Sequence, residues 1–433
     1  MASIAHEAAW SCDGKKAMKL TLSRAKNSAR SLQGEDKELL ASFHPTFVYP
    51  IFGQEELIPG YKGLEIDLRM VSGSLKMYMN VTYDKALPNY DASGIERSLY
   101  DFIPPSYLKN LEDFEALLES EEKEFKPVGE RIGCYRPGQE GTDARWEFAY
   151  AQEGEAWDEE VVYEAYLATA KTPGWLELHR RMQFFVQLEI EGGTYIEEED
   201  DRWEFVALYE KRKIFSTSDV AYHLVGYTTL YRFHFWPDST RLRLAQFIIT
   251  PPHQGTGHGS ALYNLIYRHV LIRNEIKELT VEDPSEAFAD MRDKTDLRNL
   301  RSFGVFEGFD KKLLKDRAKV EEWQETQRLK WKMGRRQFQR LLEMALLLPP
   351  SSSKGKAKKT APSKPYRLHV KERIFRHNYE ILSSLEPTER KLKLQETYDD
   401  VMKDYERLLA DSQNNGRGAK RRRVTMQEEE EEE

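Results

Sequence analysis

Glu282 and Asp283 stand side by side at the end of an apolar run, residues 276–281, and Pro284 and Ser285 follow at once. Carboxylates so placed can act as a general base, because burial or a second carboxylate nearby raises the affinity of one of them for a proton. Such a base would take a proton from a substrate group that must become a nucleophile. Upstream, Gln254-Gly255-Thr256-Gly257-His258-Gly259 has the composition of a phosphate cradle. Its glycines allow close approach of backbone to ligand, and a helix starting there adds unpaired N–H groups at its positive end.

The elements that must position these residues are legible around them. Residues 244–250 form a β-branched run of strand length, closed by Pro251-Pro252, and Leu262, Leu265, Ile266 and Val270 after the turn recur at helical spacing. With residues 276–281 as a second strand, the local plan is strand, glycine turn, helix, strand. A P-loop needs Lys-Ser or Lys-Thr after its last glycine, but Ser260-Ala261 stands here, and the dinucleotide fingerprint needs two residues where only His258 separates Gly257 from Gly259. What remains is Gln-x-x-Gly-x-Gly, whose structural alternative is a plain left-handed turn. Cys12 and Cys134 lie outside these segments, and neither a Ser-His-Asp set nor a metal-ligand spacing is present, so direct attack by the substrate is favoured over a covalent enzyme intermediate, and no metal is expected.

The segment from Phe247-Ile248-Ile249-Thr250-Pro251-Pro252 through the glycines to Val281-Glu282-Asp283-Pro284-Ser285 resembles the acetyl-CoA-binding core of the GNAT acetyltransferases. More narrowly, with Arg181-Met182-Gln183, Tyr195-Ile196, Asp201-Arg202-Trp203 and Val225-Gly226-Tyr227, it is similar to the type B histone acetyltransferase catalytic subunits. The resemblance is strongest over 175–305, looser over 35–174, and reaches about residue 348. It implies an α/β fold with a GNAT core at 171–305, a mixed α/β N-terminal domain at 1–170 contributing to histone binding, and a helical C-terminal region at 306–348. It also implies acetyl-CoA as cosubstrate, its pantetheine arm along the main chain of Phe247 and Ile249, its pyrophosphate at Gln254, Gly255, Thr256, Gly257, His258 and Gly259, and further contacts from Pro284 and Ser285. His258 itself fits either a phosphate donor or an exposed turn residue.

Glu282 is then the principal base, with Asp283 and, through the resemblance, Glu191 assisting by proton relay or by orienting the lysine. Neighbours on a regular strand face opposite ways, so Glu282 and Asp283 need a local turn at Pro284 to reach one substrate. Glu189 would share a strand face with Glu191, and the sequence does not choose between them. The implied reaction acetylates lysines in the N-terminal tail of newly made histone H4, with H3 and a WD-repeat histone chaperone as partners and the nucleus and cytoplasm as location. Two other classes stay open: a GNAT transferase for a polyamine or similar amine, and a histone-binding scaffold without turnover.

Whole-chain properties agree. At 433 residues the chain exceeds what one core usually serves, and 40% hydrophobic content suffices for two or three. A formal charge of −8 disfavours nucleic acid as the main partner and suits a basic peptide. Acidic clusters at Glu153, Glu155, Asp158, Glu159 and Glu160 and at 197–201 read either as solvated loops or as attraction for such a substrate. No run is long enough to span a membrane, and no leader segment is expected.

In order along the chain, residues 1–27 are weakly patterned, 43–52 suggest an extended segment, and 64–70 with 75–81 alternate around Ser72-Gly73-Ser74 as a hairpin. A short helix and acidic linker occupy 102–124, with strands at 145–150 and 161–167. A helix over 175–185 runs into a strand over 186–191, and strands follow at 203–209 and 221–231, where Gly226 marks a bulge or close approach. Residues 310–348 are helical with Gly334 as the interruption, 349–365 form a basic linker, and 366–411 are helical with a break at Pro387. A small bundle is one reading of these C-terminal helices and a partner-docking helix the other. In the tail, 412–433, Arg417 and Lys420-Arg421-Arg422-Arg423 read as a nuclear import signal and 428–433 as an acidic end, both disordered.

Overall fold

The computed structural model describes residues 10–138, 146–150, 159–215, 217, 219–349 and 362–413. The chain divides into two compact units, Met1–Arg232 with Leu244–Ile266, and Phe233–Arg243 with Tyr267–Glu433.

In the first unit, Met18–Ser23 (β1) alternates strictly, burying Met18, Leu20 and Leu22. It runs parallel to Glu65–Val71 (β2), which returns antiparallel as Met77–Thr82 (β3) with Met70 opposite Met77. The hairpin is the expected one. β1 was not foreseen, and the weak patterning expected for 1–27 is corrected by it. Phe43 bridges Leu20, but Tyr49–Phe52 is a turn of helix rather than an extended segment, because Pro50 sits in its first turn, where proline favours helix initiation. The acidic stretch becomes a 14-residue helix, Leu111–Glu124 (α1), capped by Asn110, whose side chain accepts from Glu112 N and Asp113 N.

The larger sheet contains Glu130–Pro137 (β4), Trp146–Tyr150 (β5), Val161–Thr169 (β6), Trp203–Lys213 (β7), Val220–Phe235 (β8) and Ser239–Ile249 (β9), in the order β9-β8-β7-β6-β4-β5. Between β6 and β7 lie two helices, Trp175–Met182 (α2) and Phe184–Glu189 (α3). The strand expected over 186–191 is therefore helix. Phe184, Phe185, Val186, Gln187 and Leu188 are all buried, so no polar face reveals the period, and a short run buried all round cannot be told from a strand by pattern. Trp175, Phe184, Phe185, Phe205, Tyr209, Tyr227 and Ile248 share one core with Met18, Leu20, Ile66 and Leu68, so both sheets pack around the same apolar centre.

The β7–β8 ladder slips by one residue: Leu208 faces Gly226, but Tyr209 faces Leu224. A Cβ at Gly226 would lie 2.3 Å from the Ile248 carbonyl oxygen, so only glycine lets β9 come this close. Bulge and close approach thus coincide, as the isolated glycine in a strand pattern suggested. β9 leads through the glycine turn into His258–Ile272 (α4), whose Leu262, Leu265, Ile266 and Val270 are all buried as their spacing required.

In the second unit, Ile276–Val281 (β10) lies beside the opening of β9; Thr240 N donates to Glu275 O at 2.8 Å, and Thr280 Oγ1 to Leu242 O at 3.4 Å. Lys332 Nζ donates to Val270 O at 2.9 Å and Arg273 O at 2.5 Å, capping the C-terminal carbonyls of α4. Helices Glu286–Ser302 (α5), Arg317–Lys330 (α6) and Arg335–Leu347 (α7) follow, with Gly334 as the N-cap of α7. Lys364–His377 (α8), Tyr379–Ser384 (α9) and Pro387–Gln413 (α10) complete the unit. Tyr366, Val370, Ile374 and Tyr398 pack on Leu314, Leu346 and Leu347, which is the bundle arrangement. Pro387 begins α10. No helix among the described residues is long and apolar enough to cross a membrane. The import-signal and acidic-end expectations fall on 414–433, and most of the basic linker on 350–361, outside the described residues.

Candidate active site

β9 ends at Ile249, Pro251–His253 forms a single 3₁₀ turn, and α4 starts at His258. The turn is tied down at both ends. Thr250 N and Oγ1 donate to Val225 O at 2.9 and 3.1 Å, Gln254 Nε2 to Ile249 O at 2.9 Å, and Thr256 Oγ1 to His253 O at 2.5 Å. Gly255 and Gly257 have φ of +71° and +93°, with Thr256 between them outside the left-handed region. Alternation of this kind turns successive N–H groups into an anion-binding concavity, and the positive end of the α4 dipole lies beside it. A Cβ at Gly259 would stand 3.7 Å from Ile249 Cγ1 and 3.8 Å from Phe247 Cε1, so Phe247, Ile249 and the glycine turn come together in the first unit.

His258 does not face solvent. Its ring is buried, its Nδ1 lies 2.7 Å from the Tyr135 hydroxyl, and Tyr163 and Trp146 pack on it with centroids at 4.5 and 5.0 Å. The exposed-turn alternative is therefore corrected: the His258 ring belongs to a buried aromatic cluster. Tyr135 went unnoticed in the sequence because nothing local links it to a residue 123 positions away.

Glu189 and Glu191 also differ from expectation. Glu189 ends α3, and Glu191 sits in the turn beyond it, so they share no strand face. Thr46 Oγ1 donates to Glu189 Oε2 at 2.9 Å, while Glu189 Oε1 is buried without a hydrogen-bond partner among the described residues. Burial pushes the Glu189 carboxyl up to about 7 against the lowering effect of Thr46. Glu191 is exposed.

In the second unit the strand stops at Val281, before the carboxylates, and Asp283 has φ +28°. The turn needed to release Glu282 and Asp283 from strand alternation is present. The Glu282 side chain is 48% accessible, with Arg243 Nη1 3.6 Å from Oε1. Pro284 is exposed, and Ser285 Oγ accepts from Phe288 N at 3.3 Å, capping α5. Among the described residues no group of three or more His, Cys, Asp or Glu side chains is placed to hold a metal.

The acidic run at 197–201 is largely consumed internally. Glu198 bonds His179 and Arg180, Asp200 bonds Arg202 and Tyr231, and Asp201 pairs with Lys171. That favours a structural role over substrate attraction. Of the other cluster, Glu159 pairs with Arg136, and Glu153, Glu155 and Asp158 lie outside the described residues. A cavity of about 160 Å³ among the C-terminal helices, lined by Gln324, His369 and Arg373 with others, contains none of the residues above.

Residues 10–191 match the family model described as "Histone acetyl transferase HAT1 N-terminus", and residues 293–351 the one described as "Fungal HAT1, C-terminal". A Cryptococcus neoformans protein named histone acetyltransferase type B catalytic subunit is 44% identical over 411 residues, covering 92% of this chain and 97% of that protein. Like-named proteins of Mycosarcoma maydis and Candida albicans are 40% and 32% identical, over 84% and 90% of this chain and 82% and 90% of their own lengths. The chain belongs to the type B histone acetyltransferase catalytic subunit family. Within this type B subunit the glycine turn and Glu282 fall between the two family-model matches.

Glu189 gives this type B subunit a measurable pH signature. Its proton affinity is raised on folding from the ordinary 4.5 to about 7, so the folded state holds a proton that the unfolded chain releases, and stability falls as pH rises between those values. Replacing it with Gln removes that loss. Glu189→Gln is expected to leave stability nearly unchanged near pH 4.5 and to raise it by roughly 3 kcal/mol at pH 8, at about 1.4 kcal/mol per tenfold change in proton affinity. Urea unfolding across that range checks this; a variant gain that does not grow with pH contradicts it.

Proposed function

We propose that this protein transfers acetyl from acetyl-CoA to lysine side chains in the N-terminal tail of newly synthesised histone H4. The observation that carries the reading is the 44% identity over 92% of the chain to a protein named as a type B catalytic subunit. The strand, left-handed glycine pair and helix of β9, Gly255–Gly257 and α4 supply a phosphate-binding backbone of the kind acetyl-CoA requires. The pyrophosphate lies against Gln254–Gly259, the pantetheine along Phe247 and Ile249, and Pro284 and Ser285 add contacts.

Glu282 accepts a proton from the lysine ammonium. The freed nitrogen attacks the thioester carbonyl carbon, a C–N bond forms, the C–S bond breaks, and CoA leaves as a thiolate that takes up the second proton the nitrogen sheds in becoming an amide. Asp283 and Glu191 assist by relaying the proton or orienting the lysine. H3–H4 and a WD-repeat histone chaperone are the proposed partners, and the nucleus and cytoplasm the proposed locations. Competition assays separate this reading from its rivals: free H4 should outcompete spermidine and nucleosomes as acetyl acceptor, whereas preferred acetylation of spermidine would point to a small-amine transferase.

A further inference from the structure

The turn that launches the glycine loop rests on a buried charge cluster that the proposed chemistry does not use. Glu210, on β7, is fully buried. Arg24 donates to it from Nη1 to Oε1 at 3.3 Å and from Nη2 to Oε2 at 2.8 Å; Arg212 also donates to Oε1, and Arg212 Nη2 reaches Asp36 at 2.7 Å. Burial alone would raise the Glu210 carboxyl, but Arg24, His253 and Arg212 hold it well below the ordinary carboxylate value. His253, the last residue of the Pro251–His253 turn, is buried against this cluster with Nε2 3.7 Å from Glu210 Oε2, and its Nδ1 is 3.0 Å from Thr250 Oγ1. The His253 carbonyl accepts from Thr256, inside the glycine loop. A continuous chain of contacts therefore runs from Asp36 and Arg24 through Glu210 and His253 into residues 254–259.

We infer that this cluster sets the affinity for acetyl-CoA, with His253 as the positioning residue that transmits the rigidity of the buried ion network to the amides facing the pyrophosphate. The physical reason is preorganisation. A backbone anion site binds well only if its N–H groups are already aligned, and a turn held by a cluster whose Glu210, Arg24 and Arg212 are all buried has few alternatives to visit. Arg24 and Asp36 thereby make the N-terminal segment part of the cofactor site's support without touching the cofactor. The inference rests on the reading of 254–259 as the pyrophosphate loop.

The test uses the full chain and two acetyl donors, acetyl-CoA and S-acetyl-pantetheine, which lacks the pyrophosphate. His253→Phe keeps the ring volume and removes both polar edges, while Glu210 retains its two arginines; Asp36→Asn changes a half-exposed partner and is the gentler variant. For His253→Phe the expected result is a KM for acetyl-CoA raised about fivefold, the scale of one lost hydrogen bond. The kcat, the KM for H4 peptide and kcat/KM with S-acetyl-pantetheine should be unchanged. Asp36→Asn should shift the acetyl-CoA KM in the same direction by less, and His253→Asn, which can still bond Thr250, should recover part of the loss.

A merely structural role would reduce both donors alike through loss of folded protein, and that result overturns the inference. So does an unchanged acetyl-CoA KM in a folded His253→Phe, or in Asp36→Asn should His253→Phe fail to fold. A wild-type enzyme that uses both donors equally well would overturn the pyrophosphate-loop reading, and this inference with it. Wild-type preference for acetyl-CoA kept intact in the variants overturns the inference alone.

Discussion

Glu282→Gln should lower kcat by roughly 10²–10⁴-fold while leaving acetyl-CoA binding and peptide KM close to wild type. Glutamine keeps the size of the side chain and can still hydrogen-bond, but it cannot take the lysine proton. Activity should recover partly at high pH, where more of the substrate amine is already deprotonated. Glu282 stands half-exposed beside Arg243, so exclusion of water around it must come from the bound peptide rather than from burial in the protein. Glu191→Gln and Asp283→Asn should cost less, and if these carboxylates work as one unit the losses in combined variants should overlap rather than add. The pH–rate profile of each variant checks this. A near-normal kcat in Glu282→Gln removes the assignment, a raised peptide KM alone makes Glu282 a substrate clamp, and selective loss in Glu189→Gln moves the assisting role to Glu189.

Gly257→Val should weaken acetyl-CoA binding by roughly 10–100-fold in protein that remains folded. Its φ of +93° is closed to a β-branched residue without strain of about 1–3 kcal/mol, and a side chain would also obstruct approach to the loop amides. Gly255 supplies the control. Its φ is +71°, but a Cβ there meets nothing within 4 Å among the described residues, and asparagine tolerates the left-handed region, so Gly255→Asn should lose much less. Titration calorimetry with acetyl-CoA, beside a thermal melt, decides it. Unchanged affinity in folded Gly257→Val would remove the phosphate loop from Gln254–Gly259.

How much of this was legible in the sequence follows the range of the forces involved. The stretch from β9 to β10 could be read directly because local chemistry punctuates it: Pro251-Pro252 ends a strand, glycines make the turn, α4 shows an apolar stripe, and Pro284 marks the release of the carboxylates. The hairpin of β2 and β3 and the helix break at Gly334 were legible for the same reason. α3 was not, because burial on all sides erased its period. β1 carried a readable alternation in Met18-Lys19-Leu20-Thr21-Leu22-Ser23, too short to stand out beside a weakly patterned N-terminus. The partners of the site were the least visible. Tyr135 meets His258, and Arg24 meets Glu210 across 186 residues, through tertiary packing that leaves no spacing to count.

The most direct measurement is single-turnover transfer. The full-length protein is mixed with acetyl-CoA and free H4, and both protein and histone are then digested and sequenced by tandem mass spectrometry. Acetyl on lysines of the H4 N-terminal tail, formed in step with CoA release and abolished or strongly slowed by Glu282→Gln, is the result expected. CoA release without acetyl-lysine on H4, or acetyl accumulating on a side chain of the enzyme before it reaches histone, would contradict direct transfer to a histone lysine.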